Sequence, residues 1–244
     1  PVSMPGGTDH RRVLIIGAGA SANACAEMLR RADFSGQIIM FTKEEDLPYD
    51  RVRLSKGFIS GAGSESEMHL RSEDYYERLG IEIRRNTEVI ELKAAEKTIV
   101  LNDGSEEKGD RILIATGGRP KKLPLDGMNL HNVFILRSME DGRRIKAAAQ
   151  SASRIVLVGA SFIGMELASD LRSMEKEVMV VAPETAPGAL IFGERVGKWF
   201  QRLGENNGVR FKMGVKPTEF SGELAVEKVE LSDGSSESAD LVIL

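Results

Sequence analysis

Apolar residues fall along this chain in short blocks, most of them followed by a helical period. Val13–Ile16 is an unbroken aliphatic run, the mark of a strand buried on both faces. Small and apolar residues then recur at helical spacing over Ala20–Ala32, and Gln37–Thr42 reads as the next strand. After a long connection containing PYDRVRLSK, the pattern predicts a helix around Ser72–Leu79 and strands at Ile81–Arg84 and Val89–Leu92. A helix near Met139–Ala149 leads into a second cycle: strand Ile155–Val158, a helix, strand Val178–Val181, helix Glu194–Leu203 and strand Val209–Met213. Such alternation predicts an α/β fold of parallel sheets with helices on their faces.

Both cycles open on the same kind of turn, VLIIGAGASANACAEML at Val13–Leu29 and IVLVGASFIGMELASDL at Ile155–Leu171. Gly17 and Gly159 stand where a tight strand-to-helix turn needs a residue without a side chain. Gly19 lets the backbone approach a pyrophosphate, Ala20 opens the helix, and Ala22 lets that helix pack closely on its strand. The helix N-terminus offers N–H groups and a partial positive charge to phosphate. In the second copy the pattern is GxSxxG, with Ser161 in the middle and Gly164 last; a serine there crowds a phosphate but can also donate to it. Either turn alone also fits a tight strand-to-helix connection in an ordinary α/β domain. Two of them predict a chain that holds two dinucleotides, most commonly to pass electrons between them.

A second echo supports duplication. LNDGSEEKGDRILIATGG at Leu101–Gly118 and LSDGSSESADLVIL at Leu231–Leu244 share a strand, an Asp-Gly turn and a second apolar strand, and Asp103-Gly104 and Asp233-Gly234 are hairpin signals. The expected architecture is two Rossmann-like modules, parallel sheets carrying antiparallel hairpin appendages.

Composition narrows the choice. The 244 residues, 41% hydrophobic, suffice for two modest cores. A net charge of −4 with both signs interspersed leaves no basic footprint for nucleic acid. No apolar run approaches the roughly 18 residues that span a bilayer, and no signal peptide is visible. The single cysteine, Cys25, lies within the first predicted helix as core packing, so no internal disulfide is expected and a reducing compartment is indicated. PVSMPGGTDHRR reads as a linker, and His10, His69 and His131 match no metal-ligand spacing.

DLPYDRVRLSK at Asp46–Lys56, ILIATGGRP at Ile112–Pro120, VGASFIGMELA at Val158–Ala168 and FGERVGKWF at Phe192–Phe200 together resemble the FAD-dependent pyridine-nucleotide oxidoreductases. Within them the chain is most similar to the branch of ferredoxin reductases and apoptosis-inducing-factor-like flavoproteins, including those preceded by a Rieske domain. The resemblance implies an FAD-binding domain over 12–136, after a linker at 1–11, and an NAD(P)H-binding domain over 137–244. It implies that Gly17, Gly19 and Ala22 hold the FAD pyrophosphate, with Arg51, Lys56 and the Ala115-Thr116-Gly117 turn also at the FAD and Lys56 near the flavin ring. Gly159, Ser161 and Gly164 would hold the pyridine nucleotide, with Phe162 and Glu166 at the nicotinamide end. A Lys56–Glu166 ion pair is the implied means of biasing flavin electronics. On the residues alone, Arg51 and Lys56 read equally as solvated loop charges, Phe162 as core filler and Thr116-Gly117-Gly118 as a simple turn.

Two departures from the family pattern stand out. The acid that binds a ribose hydroxyl at the end of the second strand is replaced by Lys43, followed by Glu44, in the first module, and by Ala182, with Glu184 beyond it, in the second. Glu44 and Glu184 are the candidate substitutes, and the lack of an arginine beside Ala182 favours NADH over NADPH. The second departure is the terminus: LVIL stops where the first copy runs on into ATGGRP, so the expectation is a piece of a longer protein that lacks a second FAD segment and a C-terminal interface domain.

The resemblance implies hydride transfer from NADH to FAD and onward electron transfer to an iron–sulfur acceptor, a Rieske domain of the same protein among the candidates, or otherwise to a quinone or oxygen. The lack of a cysteine pair argues against disulfide reduction. An alternative is a nucleotide-binding sensor or interaction module with little turnover. Cytoplasmic and mitochondrial locations both fit.

Overall fold

The computed structural model describes residues 5–244, which form two compact units, one of residues 5–50 and 66–118 and the other of 51–65 and 119–244. In the first, β1 (Arg12–Ile16) runs into α1 (Ala20–Arg31) and β2 (Gln37–Phe41). The short α2 (Glu65–Met68) brings the chain back, and α3 (Glu73–Arg78) precedes β3 (Ile81–Arg84). An antiparallel sheet of β4 (Val89–Lys93), β5 (Thr98–Leu101) and β6 (Glu106–Lys108) follows, and β7 (Arg111–Ile114) completes a parallel sheet of order β3-β2-β1-β7.

The aliphatic run of β1 is explained by two cores, one on each face of the sheet. Val13 and Ile15 pack with Ala22 and Ala26 of α1, Ile38, Met40 and Tyr76, whereas Leu14 and Ile16 pack with Ile39, Phe41, Ile99 and Leu101. A strand with no solvent face has no polar alternation to show. Each such side chain contributes about 1.5–3 kcal/mol through burial.

Arg30 closes the far end of α1. Its guanidinium is buried and donates to the carbonyls of Phe34, Gly36, Leu79 and Gly80 at 2.6–2.9 Å, tying α1 to the turn before β2 and to the end of α3. Burial pulls its pKa down from the ordinary arginine value.

The second unit contains a 3₁₀ turn, Arg51–Ser55, and then β8 (Val133–Phe134), α4 (Met139–Ser151), β9 (Arg154–Val158) and α5 (Phe162–Ser173). It continues with β10 (Glu177–Ala182), α6 (Ala189–Phe192), α7 (Glu194–Asn206) and β11 (Val209–Met213), and ends with β12 (Pro217–Ser221), β13 (Lys228–Leu231), β14 (Ser236–Ser238) and β15 (Leu241–Ile243). Its parallel sheet has the order β11-β10-β9-β15-β8, and β12-β13-β14 form an antiparallel sheet. α4 opens on a capping box: Asp141 N–H donates to Ser138 Oγ, and Ser138 N–H donates to the Asp141 carboxylate.

The duplication extends to individual hydrogen bonds. Gly17 N–H donates to Phe41 O and Gly159 N–H to Val181 O, both at 2.8 Å. Asp103 Oδ1 accepts from Ser105 N–H in one Asp-Gly turn, and Asp233 Oδ1 accepts from Ser235 N–H in the other. Asp110 receives the N–H of Arg12 as Asp240 receives that of Arg154, and both first antiparallel strands carry a register shift, at Val89/Glu91 and Pro217/Glu219.

One expectation needs correction. The apolar strands after the Asp-Gly turns are not the hairpin partners: those partners are the short polar strands β6 and β14, and the apolar β7 and β15 run parallel to β1 and β9. Ile112 and Val242 bury against cores on the parallel sheets, a gain that a solvent-facing hairpin does not offer.

Residues 5–11 carry no helix or strand, and residues 1–4 of the expected linker lie outside the described residues. Cys25 is partly buried against the α1 core, which pushes its thiol pKa up. Among the described residues no helix is long and apolar enough to cross a membrane, and no cluster of His, Cys, Asp or Glu could hold a metal ion.

Candidate functional site

Each unit presents a glycine cradle at the C-terminal end of its parallel strands, the place where open α/β sheets bind ligands. In the first unit Gly17 has φ +115°, and a Cβ there would lie 2.2 Å from Ala115 O, so both backbone conformation and space require glycine. Gly19 caps α1 with no side-chain hydrogen bond, and a Cβ built on it meets nothing within 4 Å. Ala20 is exposed at the start of the helix, and Ala22 is buried against the sheet. No capping side chain thus competes for the N–H groups of the first helical turn. Ala115 donates its N–H to Ile16 O at 2.8 Å, which brings the Ala115-Thr116-Gly117 turn beside Gly17; Thr116 and Gly117 are exposed.

Glu44 lies just past β2, where Lys43 is exposed. Its carboxylate accepts the hydroxyl proton of Tyr49 at 2.6 Å, and its N–H donates to Thr42 Oγ1.

In the second unit Gly159 has φ +111°, and a Cβ there also meets nothing within 4 Å. Ser161 is the N-cap of α5 and makes no side-chain capping bond. Gly164 packs so closely that a Cβ would lie 2.1 Å from Gly159 O. Ala182 is buried at the end of β10, and Glu184 sits in the loop beyond, its carbonyl accepting from Gly214 N–H at 2.9 Å. Glu184 Oε2 is buried and has no hydrogen-bond partner among the described residues. A buried carboxylate oxygen left this way is costly. It is an acceptor set beside the cradle and matches a ligand that brings hydroxyl donors, as a ribose does.

Phe162 is 53% exposed, so the core-filler reading fails; its ring meets Phe192 edge to face at 5.4 Å. Glu166, one helical turn on, carries the expected ion pair, with Lys56 Nζ 3.4 Å from Oε1. Its other oxygen, Oε2, accepts from Ser55 Oγ at 2.6 Å, a contact that the sequence reading did not foresee although Ser55 stands inside the RVRLSK motif. Arg51, at the head of the same 3₁₀ turn, donates through Nη1 to Arg137 O at 2.7 Å within the second unit.

The residues present therefore fit two dinucleotides: an open glycine turn at an uncapped helix start in each unit, and in the second unit an acid oxygen awaiting a donor. They bring Gly17, Gly19 and Ala115–Gly117 together in one unit, and Lys56, Glu166 and Phe162 with Gly159, Ser161 and Gly164 in the other.

Residues 11–244 match the family described as pyridine nucleotide-disulphide oxidoreductase. Human apoptosis-inducing factor 3 is 35% identical over 98% of this chain and 39% of its own length. The benzene 1,2-dioxygenase system ferredoxin–NAD(+) reductase subunit of Pseudomonas putida is 34% identical over 95% of this chain and 56% of its own. Among solved structures, a ferredoxin reductase from Rhodopseudomonas palustris superposes with a TM-score of 0.91 at 28% identity, covering 96% of this chain and 58% of that one. Putidaredoxin reductase in covalent complex with putidaredoxin gives 0.90 at 26%, covering 97% and 58%. The chain thus spans between about two-fifths and three-fifths of these relatives.

Proposed function

Because the chain belongs to the pyridine nucleotide-disulphide oxidoreductase family, we propose that it is the two-nucleotide portion of an FAD-dependent reductase, with FAD on the Gly17 cradle and NADH on the Gly159 cradle. The observation that carries this reading is the pair of open glycine cradles, one per unit, each at a helix start that no side chain caps. When bound, NADH supplies a hydride and FAD accepts the electron pair and releases it singly. The chain's own residues do the positioning. Gly17 and Gly19 admit one pyrophosphate, and the Ala115-Thr116-Gly117 turn borders it; Gly159, Ser161 and Gly164 admit the other. Phe162 offers an exposed ring at the nicotinamide end, and Glu166, held by Ser55 and Lys56, fixes a negative charge one turn along the same helix face.

The preference for NADH rests on Glu184. A buried acceptor oxygen favours ribose hydroxyls and repels a 2′-phosphate, and no arginine stands beside Ala182 to receive one. The onward acceptor is an iron–sulfur protein of ferredoxin type, the partner class named in the relatives from Pseudomonas putida. Similarity to apoptosis-inducing factor 3 supports the second reading, a nucleotide-binding interaction module with little turnover.

The test is NADH-dependent reduction of a one-electron dye by the complete FAD-loaded protein. Steady turnover that slows by at least about tenfold in Lys56→Ala or Glu166→Ala supports the reductase, that being the size expected when a positioned charged group is lost. Retained nucleotide binding with negligible turnover supports the interaction module. An unchanged flavin-reduction rate in both variants removes the pair from the mechanism.

A further inference from the structure

Two groups hold the Glu166 carboxylate, and they are unequal. Lys56 approaches Oε1 at 3.4 Å with 52% of its side chain exposed, and an ion pair so placed is screened by water and loosely oriented. Ser55 is 4% exposed, and its Oγ lies 2.6 Å from Oε2 and 3.2 Å from Val52 O. A serine has one proton and two possible acceptors here. The carboxylate is the nearer and the stronger acceptor, so the O–H donates to Glu166, a short charge-assisted bond whose donor is buried. The segment is fastened to α5 at a second point one turn further along, where Ser60 N–H donates to Asp170 Oδ2 at 3.1 Å and Asp170 is buried. Two acids at i and i+4 on α5 thus accept hydrogen bonds from one chain segment, which fixes Ser55 against the helix.

We propose that Ser55 is the positioning residue for Glu166: its buried hydroxyl, rather than the half-exposed Lys56 ammonium, sets the orientation of the carboxylate on the α5 face shared with Phe162. The consequence for catalysis rests on the reductase reading above; the orientation itself does not. Lys56 supplies charge at this acid, and Ser55 supplies direction.

Crystal structures of the chain carrying Ser55→Ala, Ser55→Thr and Lys56→Met decide the orientation. Glu166 is expected to keep its side-chain conformation in Lys56→Met and in Ser55→Thr, which retains the hydroxyl, and to adopt another conformation or several in Ser55→Ala. Glu166 unmoved in Ser55→Ala, or displaced in Lys56→Met, overturns the proposal. The chemistry is read on the complete FAD-loaded protein by rapid mixing with NADH. Ser55→Ala should lower the limiting rate of flavin reduction roughly tenfold, the scale of one hydrogen bond to a charged group, and Ser55→Thr should recover most of it. NAD+ affinity, measured by calorimetry, should change much less than the rate. A limiting rate unchanged in Ser55→Ala overturns the catalytic role. A wild-type protein that NADH fails to reduce refutes the reductase reading instead, and the crystal structures then decide the orientation alone.

Discussion

Gly164 and Glu184 are the residues at which a single atom decides most. A methyl group on Gly164 would sit 2.1 Å from Gly159 O, a backbone atom of the turn, so the backbone must shift to admit it. Gly164→Ala should therefore cost about 1–3 kcal/mol of stability through overpacking and abolish NADH binding, measured by thermal melting and calorimetry side by side. Glu184→Gln removes the negative charge at the orphaned oxygen without changing its size. NADH affinity should fall roughly tenfold while the melting temperature changes little, because Oε2 has no hydrogen bond within the described residues to lose. A melting temperature that falls with affinity unchanged would make Glu184 structural. Arg30→Ala strands four carbonyls at once and should cost on the order of 3 kcal/mol. The glycines were legible in the sequence because much of their reason is local: the positive φ of Gly17 and Gly159, and the close approach of Gly164 to Gly159 O, belong to the turns themselves. Ser55 was not, because its bond reaches a residue more than a hundred positions along the chain.

The anchoring of β9 shows what an element owes to one acid. Asp240 Oδ2 accepts from the N–H groups of Ser153 and Arg154, and its carboxylate pairs with the Arg154 guanidinium at 2.6 Å. The guanidinium hydrogen bond leads the causes that hold its pKa at about 2, against an ordinary value of 3.8. A pKa depressed on folding contributes stability in full above the unfolded value and loses it as pH falls through the folded one, so this contribution disappears between about pH 4 and pH 2. Acid unfolding of wild type and Asp240→Asn should therefore differ at neutral pH and converge near pH 2; a constant gap down to pH 2 would place the contribution elsewhere. The long elements α1, α4 and α7, with the strands beside them, followed from periodicity within a residue or a few at their ends. The short ones did not. β8 is two residues held by its pairing with β15, and β12 depends on its register with β13, so neither carries a signal of its own. β6 and β14 are polar and three residues long, and the apolar strands that follow drew the hairpin reading to themselves.

At the scale of the molecule, two units repeat one plan, a parallel sheet opening on a glycine turn and backed by a three-stranded antiparallel sheet, and the repetition reaches single hydrogen bonds at Gly17 and Gly159. Duplication of the nucleotide site is what the sequence displayed most plainly, since each copy confirms the other. The segment 51–65 is the exception: it follows the first module's β2 in the chain but packs with the second unit, bringing Ser55 and Lys56 to Glu166. Such an excursion leaves no trace in hydrophobic periodicity, because the 3₁₀ turn that carries it has five residues. In the proposed reductase two different nucleotides bind and exchange electrons. Anaerobic titration of the complete FAD-loaded protein with NADH, followed by its visible absorption, tests this most directly. The flavin band should bleach in proportion to added NADH until one equivalent per flavin has been consumed. A band that stays unbleached while calorimetry shows NADH bound would contradict it.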